Sequence, residues 1–352
     1  MITDDRQILL TARRWVVKVG SALLTADGRR LDKGVIHGLV QQLITLRERG
    51  CEVVLVSSGA VAAGAVRLGF EDRPEDLHSL QAAAAVGQSA LIRSYEEALA
   101  PQGINTALVL LSHADILARD RYLNARGTLG RLIDLGVIPV VNENDSVVTD
   151  EIRLGDNDTL AALVANLIDA DVLLVLTDQD GLCDANPREN PDAAVISAAE
   201  VDDPRLDTMV GEGGQFGRGG MVTKLNAARL AARSGAVTVI ANGRVPEVIP
   251  KVAAGEQLGT LLSTRHRPQS ARKQWLASLL HIQGRLVLDA GAAAVVAAGD
   301  KSLLPVGVMS VQADFVRGHL VACVAVDGRQ LARGLVNYRA PDAIPLQGQP
   351  PK

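Results

Sequence analysis

The sequence predicts an α/β protein with a doubly wound, mostly parallel sheet, followed by a small β-rich domain. Three observations lead there. Short runs rich in Val, Ile and Leu alternate with longer stretches of helical period as far as about residue 260. These runs are continuously apolar, as in strands covered by helices on both faces. Past residue 275 the texture changes to short strand-like segments separated by turns, which marks a second unit of different architecture.

The strands open with WVVKVG (15–20) and continue with CEVVLVSS (51–58), TALVLLS (106–112), VIPVVNEN (137–144), DVLLVLTD (171–178) and AVTVIAN (236–242). Helical stretches between them include KGVIHGLVQQLITLRERG (33–50), ARDRYLNARGTLGRLIDLG (118–136) and GGMVTKLNAARLAARSG (219–235). Each ends in glycine, a common helix stop. The β-α-β rhythm places the first domain at 1–262. STRHRPQSARKQW (263–275) is basic and contains proline, and reads as a solvated linker. GRLVLDAG, KSLLPVGVMSVQADF, HLVACVAVDG and QLARGLVNYRA then supply the strands of a domain at 276–345, with a turn signal at Asp327-Gly328. The tail 346–352 is expected to be disordered.

With 352 residues, 47% of them hydrophobic, the chain has room and apolar content for one large and one small core. A net charge of −4 argues against a general nucleic-acid binder. Five Arg and two Lys face five Asp in 276–352, and Phe315 and Tyr338 are its sole aromatics. RNA-binding modules carry more basic and stacking surface, so RNA binding is at most an accessory property of the small domain. Cys51, Cys183 and Cys323 are far apart and without CxxC spacing, which points to the reducing cytoplasm. The start, MITDDRQILLTARRW, puts two aspartates before a short apolar run, the wrong order for a signal peptide. No stretch reaches the ~18–20 apolar residues of a membrane span.

Common nucleotide motifs are absent. There is no GK dipeptide, hence no Walker loop, and GEGGQFGRGGM (211–221) does not satisfy GxGxxG. Neither histidines nor cysteines have metal-ligand spacing. Three strand ends remain. In VVKVGSALL, Lys18 sits inside an apolar strand; it either meets an anion or lies on an edge facing water. In VLVSSGAVAAG, Ser57, Ser58 and Gly59 precede a helix whose amides favour phosphate or carboxylate, although Ser-Gly also makes an ordinary cap. In GRGGMVTKL, Gly219 and Gly220 allow close backbone approach, and Thr223 and Lys224 fall in the first helical turn. A lysine there opposes the helix dipole unless an anion is bound.

Against these basic turns stands NENDSVVTDEIRLGDNDTL (142–160), which concentrates Asp145, Asp156 and Asp158 among Asn142, Asn144 and Asn157 after an apolar strand. The carboxylates can hold Mg²⁺ or an ammonium group, or orient the lysines. The amides can donate to a carboxylate. An amino acid beside a nucleotide triphosphate satisfies both sets.

In order along the chain, VVKVGSALLT, VSSGAVAAG, VNENDSV, GDND, LLVLTDQDGL and GGMVTKL resemble the signature segments of the bacterial glutamate 5-kinases, in the amino acid kinase superfamily. The resemblance spans about residues 14–340, and the last part resembles a PUA domain. It implies the amino acid kinase fold and ATP-dependent phosphorylation of the side-chain carboxylate of L-glutamate, with Mg²⁺. Lys18 would contact the phosphates, Lys224 would neutralise the transferring group, and Asp158 would hold both lysines. Ser58, Asp145 and Asn157 would bind glutamate, with Asp156 close by. Thr177, Asp178, Gly219, Gly220, Met221 and Thr223 would line the nucleotide site. An acceptor carboxylate is ionised at neutral pH, so no general base is required. Arg218 departs from the small residue expected before GGM, and the longer charged C-terminus of some relatives is missing. A glutamyl phosphate reductase as transient partner and a homo-oligomer are further implications. Acetylglutamate, lacking an ammonium, fits Asp145 and Asp156 poorly, and a nucleotide acceptor would want basic residues there.

Overall fold

The structure, a computed structural model, describes residues 6–26, 30–147, 157–185, 190, 192–209, 220–264, 282–297, 303–312, 315–317 and 319–349. Two compact units divide the chain, Met1–Trp275 and Leu276–Lys352.

The first unit runs β1 (Arg14–Val19), α1 (Lys33–Glu48), β2 (Glu52–Val56), α2 (Ala60–Arg67), α3 (Leu77–Leu99), β3 (Thr106–Leu111), α4 (Arg119–Asp134) and β4 (Ile138–Glu143). It continues with α5 (Asn157–Leu167), β5 (Val172–Thr177), β6 (Ala198–Glu200), α6 (Met221–Ala232), β7 (Val237–Asn242), α7 (Val248–Ala253) and β8 (Thr260–Ser263). All eight strands join one sheet in the order β3-β4-β2-β1-β5-β7-β8-β6. The six longer strands pair in parallel. β8 runs antiparallel to β7 and carries β6 parallel to itself. The sheet is therefore mostly parallel, as the apolar runs predict. Those runs do not announce β6 and β8, whose sequences AAE and TLLS are too short to show a period.

Burial explains the continuous apolarity of the central strands. Trp15, Val16, Val17, Val54, Val56, Leu173, Leu174 and Val175 are all fully enclosed, each contributing about 1.5–3 kcal/mol of transfer free energy. α1 covers one face through Ile36, Leu39, Val40 and Leu43. It starts where Asp32 accepts from the amides of Gly34 and Val35, a side-chain cap. α2 and α3 meet through glycines. A Cβ on Gly64 would stand 1.7 Å from the Ala83 carbonyl oxygen, and one on Gly87 1.7 Å from that of Ala60. Only hydrogen fits between the two backbones.

β1 and β5 are neighbours, yet the chain leaves β1 towards β2 on one side and β5 towards β7 on the other. Ligands of open α/β sheets bind beyond the carboxyl ends of the strands at such a reversal. Lys18, Ser57, Asn142, Thr177 and Asn242 all lie at carboxyl ends of strands.

The second unit contains β9 (Gly284–Leu288), β10 (Val308–Gln312), β11 (Leu320–Val324) and β12 (Gln330–Leu335), ordered β10-β9-β11-β12. β9 and β11 are parallel and the outer pairs antiparallel. Its core gathers Leu286, Leu288, Phe315, Val321 and Cys323. The Asp327-Gly328 signal makes its turn, with Gly328 at φ +86° and Asp327 Oδ1 accepting from Arg329 N. In the segment 346–352, residues 346–349 are described, and Gly348 N donates to the Pro305 carbonyl. The proposed linker lies outside the described residues from 265 onward.

Candidate active site

At the reversal, three side chains from distant parts of the sequence converge. Asp158 projects from the first turn of α5, not from a loop as the run of polar residues suggests; an acidic residue there complements the helix dipole. Lys18 Nζ approaches its Oδ1 to 2.5 Å, and Lys224 Nζ its Oδ2 to 3.2 Å. All three are buried. Thr223 Oγ1 lies 3.1 Å from the same Oδ2 and 2.7 Å from the Gly220 carbonyl oxygen. Burial raises the Asp158 pKa, but the two lysines more than reverse this and hold its carboxyl below the usual range. Among the described residues two ammonium groups share this one carboxylate, beside the N-terminus of α6. Such a place is ready for an anion.

A second cluster adjoins it through Asn157, the neighbour of Asp158. Asn157 Nδ2 reaches the Ser57 carbonyl at 2.8 Å, Ser58 Oγ at 2.9 Å and Asn142 Oδ1 at 3.0 Å. Asn142 Oδ1 also accepts from Glu143 N, and its Nδ2 donates to Gln88 Oε1 at 3.2 Å. Gln88 Nε2 in turn donates to the Glu143 carbonyl at 3.3 Å. Ser57 Oγ and Tyr95 Oη lie 2.8 Å apart. Gly59, at φ +98°, makes the sharp turn into α2 that brings Ser58 here. Gln88 and Tyr95 on α3 are supports that sequence reasoning missed; a lone glutamine or tyrosine in an Ala-rich helix carries no strand-end signal.

Asp145 sits half-buried in the turn after β4. Burial pushes its carboxyl up to about 6, with Arg73 opposing the shift. Thr177 ends β5, buried, with Oγ1 3.2 Å from Asp178 Oδ1. Gly220 caps α6 in extended conformation, and Met221 opens the helix. Asp156, Arg218 and Gly219 lie outside the described residues. Among the described residues no group of three or more His, Cys, Asp or Glu side chains is placed to hold a metal ion.

The chain has relatives among known proteins. The profile of the amino acid kinase family matches residues 13–242, and that of the PUA domain residues 284–349. A glutamate 5-kinase of Ectopseudomonas mendocina is 60% identical over 340 residues, covering 96% of this chain and 91% of its own. One from Pseudomonas fluorescens is 59% identical at the same coverage. The chain belongs to the glutamate 5-kinases of the amino acid kinase family. Its sheet also matches carbamate kinase from Giardia lamblia bound to AMP-PNP, at 16% identity and a TM-score of 0.53 over 72% of this chain and 99% of that one. That likeness carries the fold alone. The chain has no Walker loop; its buried lysines stand at a strand end and at a helix start, both in contact with Asp158.

Proposed function

We propose that this chain transfers the γ-phosphoryl group of ATP to the side-chain carboxylate of L-glutamate, giving L-glutamyl 5-phosphate, the first step of proline biosynthesis. The observation that carries the reading is the grip of Asp158 on both Lys18 and Lys224, in a chain about 60% identical to named glutamate 5-kinases. Lys18 holds the phosphates of the nucleotide. Lys224 follows the charge that spreads over the transferring group, while Asp158 keeps both ammonium groups in position. Phosphoryl transfer asks a protein mainly for positioning and charge compensation. Thr177, Asp178, Gly219, Gly220, Met221 and Thr223 line the nucleotide site.

Glutamate is placed by Ser58, Asn157 and Asp145, with Asp156 nearby. Asp145 meets the ammonium, and the amide and hydroxyl donors meet the carboxylates. ATP is used with Mg²⁺ in this reading, and such an ion is commonly held by one or two carboxylates together with the substrate phosphates. Bound in that way, Mg²⁺ would supply charge neutralisation at the phosphates.

The product is an acyl phosphate with a free α-amine, able to close a five-membered ring on its own activated carbonyl. Rapid hand-over to a glutamyl phosphate reductase limits that loss, so a transient contact with such an enzyme is part of the proposal, as are a homo-oligomer and a cytoplasmic setting. No described helix is long and apolar enough to cross a membrane. The test is ATP consumption with hydroxylamine trapping, offering glutamate, aspartate, acetylglutamate and UMP in turn. A trapped acyl phosphate with glutamate alone is expected. Equal or faster turnover of another acceptor overturns the assignment.

A further inference from the structure

We infer a second binding site, for a small multiply charged anion, in the cleft bounded by α2, α3 and the short strand Arg30–Leu31. The cleft encloses about 260 Å³. Arg30, Lys33, Arg67 and Arg93 line it against one carboxylate, Glu97. That carboxylate is already engaged by Lys33 at 3.1 Å. Among the described residues no carboxylate pairs with Arg30, Arg67 or Arg93; Arg67 donates instead to Ser89 Oγ at 3.1 Å. The three guanidiniums are exposed, yet they converge on one concavity, where their mutual repulsion favours a bound anion. Guanidinium forks match phosphate and carboxylate oxygens in geometry as well as charge. The cleft also presents Leu31, Ala63, Val66 and Ala90, an apolar surface suited to a ligand with a short carbon body.

Its position gives the site a consequence. Leu31 Cδ2 lies 3.1 Å from where a Cβ on Gly59 would stand, and Gly59 directly follows Ser58. On the other wall, Ala90 and Arg93 share α3 with Gln88 and Tyr95, the supports of Asn142 and Ser57. An occupant that presses on Leu31 or draws Arg93 inward therefore bears on both backs of the acceptor pocket. Anion binding and glutamate affinity are coupled, each changing the other by the same factor. This coupling rests on the acceptor pocket assigned above, whereas the binding itself does not.

The experiment is equilibrium dialysis of radiolabelled 3-phosphoglycerate against the full chain, saturated with glutamate and a non-hydrolysable ATP analogue so that the catalytic cleft is filled. One site per chain is expected, weakened by at least ~10-fold in the double variant Arg67→Ala/Arg93→Ala. Turnover of that variant without the probe should equal the parent's. The probe should shift the glutamate KM of the parent by about twofold or more and leave that of the variant unchanged. No binding up to about 10 mM, or equal affinity in parent and variant, overturns the site. Binding that never moves the glutamate KM overturns the coupling.

Discussion

Lys18 and Asp158 form an ion pair at 2.5 Å with side chains only 7% and 1% exposed. Buried pairs are costly to break, because the surviving charge has lost its water and its partner; removing one member typically costs about 3–5 kcal/mol. Asp158→Asn removes this partner from Lys18 and one partner from Lys224. It should lower the urea midpoint markedly and reduce kcat by at least ~100-fold. Denaturant unfolding and steady-state kinetics on one preparation decide the matter. A variant as stable and active as the parent would show that the lysines do not depend on this carboxylate.

The same pair sets an acid limit. The folded pKa of Asp158 is depressed, so the unfolded chain binds more protons near its own carboxylate pKa of about 3.9, and stability rises with pH there. The contribution is fully present above that value and drains away as pH falls through the folded pKa. Asp158→Asn should thus show a shallower loss of stability below about pH 4 than the parent. Parallel acid titrations of the unfolding free energy would reveal identical slopes if Asp158 were not coupled to folding.

The two lysines should separate kinetically. Lys224→Ala removes charge compensation used mainly in the transition state and should lower kcat by at least ~100-fold, with a small change in the KM for ATP. Lys18→Ala should raise the KM for ATP as well as lower kcat. Near-normal turnover in both would remove the phosphate-cradle assignment.

Asp145 titrates within reach of an ordinary assay. Its carboxyl, pushed up to about 6, is protonated below that pH in the free enzyme and then cannot attract an ammonium. The kcat/KM for glutamate should fall as pH drops through about 6, since this parameter reports the free enzyme. Asp145→Asn should flatten that step and cost about 10- to 100-fold at neutral pH, one charge-assisted hydrogen bond. The ATP KM should stay put, and discrimination against acetylglutamate should shrink. A step near pH 6 that survives in the variant would assign it to another group.

Gly87→Ala should disturb the acceptor side without touching any proposed ligand. The new methyl would stand 1.7 Å from the Ala60 carbonyl, so the helices must part, costing about 1–3 kcal/mol as overpacking does. Gln88 is the next residue, so its bonds to Asn142 and Glu143 shift with it. A raised glutamate KM with an unaltered ATP KM is expected; equal rises in both would mean general loosening.

Much of this architecture can be read from residues. Six apolar runs announce the six parallel strands because burial on both faces leaves few polar positions in them. Lys18 stands out against that background, as does Lys224 at a helix start. The two edge strands escape notice because three or four residues carry no period. The neighbours of Ser57, Asn142 and Asp145 escape for another reason: Tyr95, Gln88 and Arg73 reach them only through the folding of α3 and of the turn after β4. Such contacts are long-range, and local sequence does not record them. Asn157 and Asp158 are conspicuous for their chemistry yet misleading in context, because a polar N-terminal turn looks like loop until its helix follows.

The three charges of the cradle come from the first strand, from a helix in the middle of the domain and from a helix near its end. If this cluster holds ATP as proposed, a growing chain on the ribosome completes the site only when α6 has emerged and the sheet has closed on both sides of β1. Chains that stop short of Lys224 would lack the third charge of the proposed cradle. On that reading such chains would neither waste nucleotide nor release a reactive acyl phosphate, and quality control of the catalyst would follow from the order in which its parts are made.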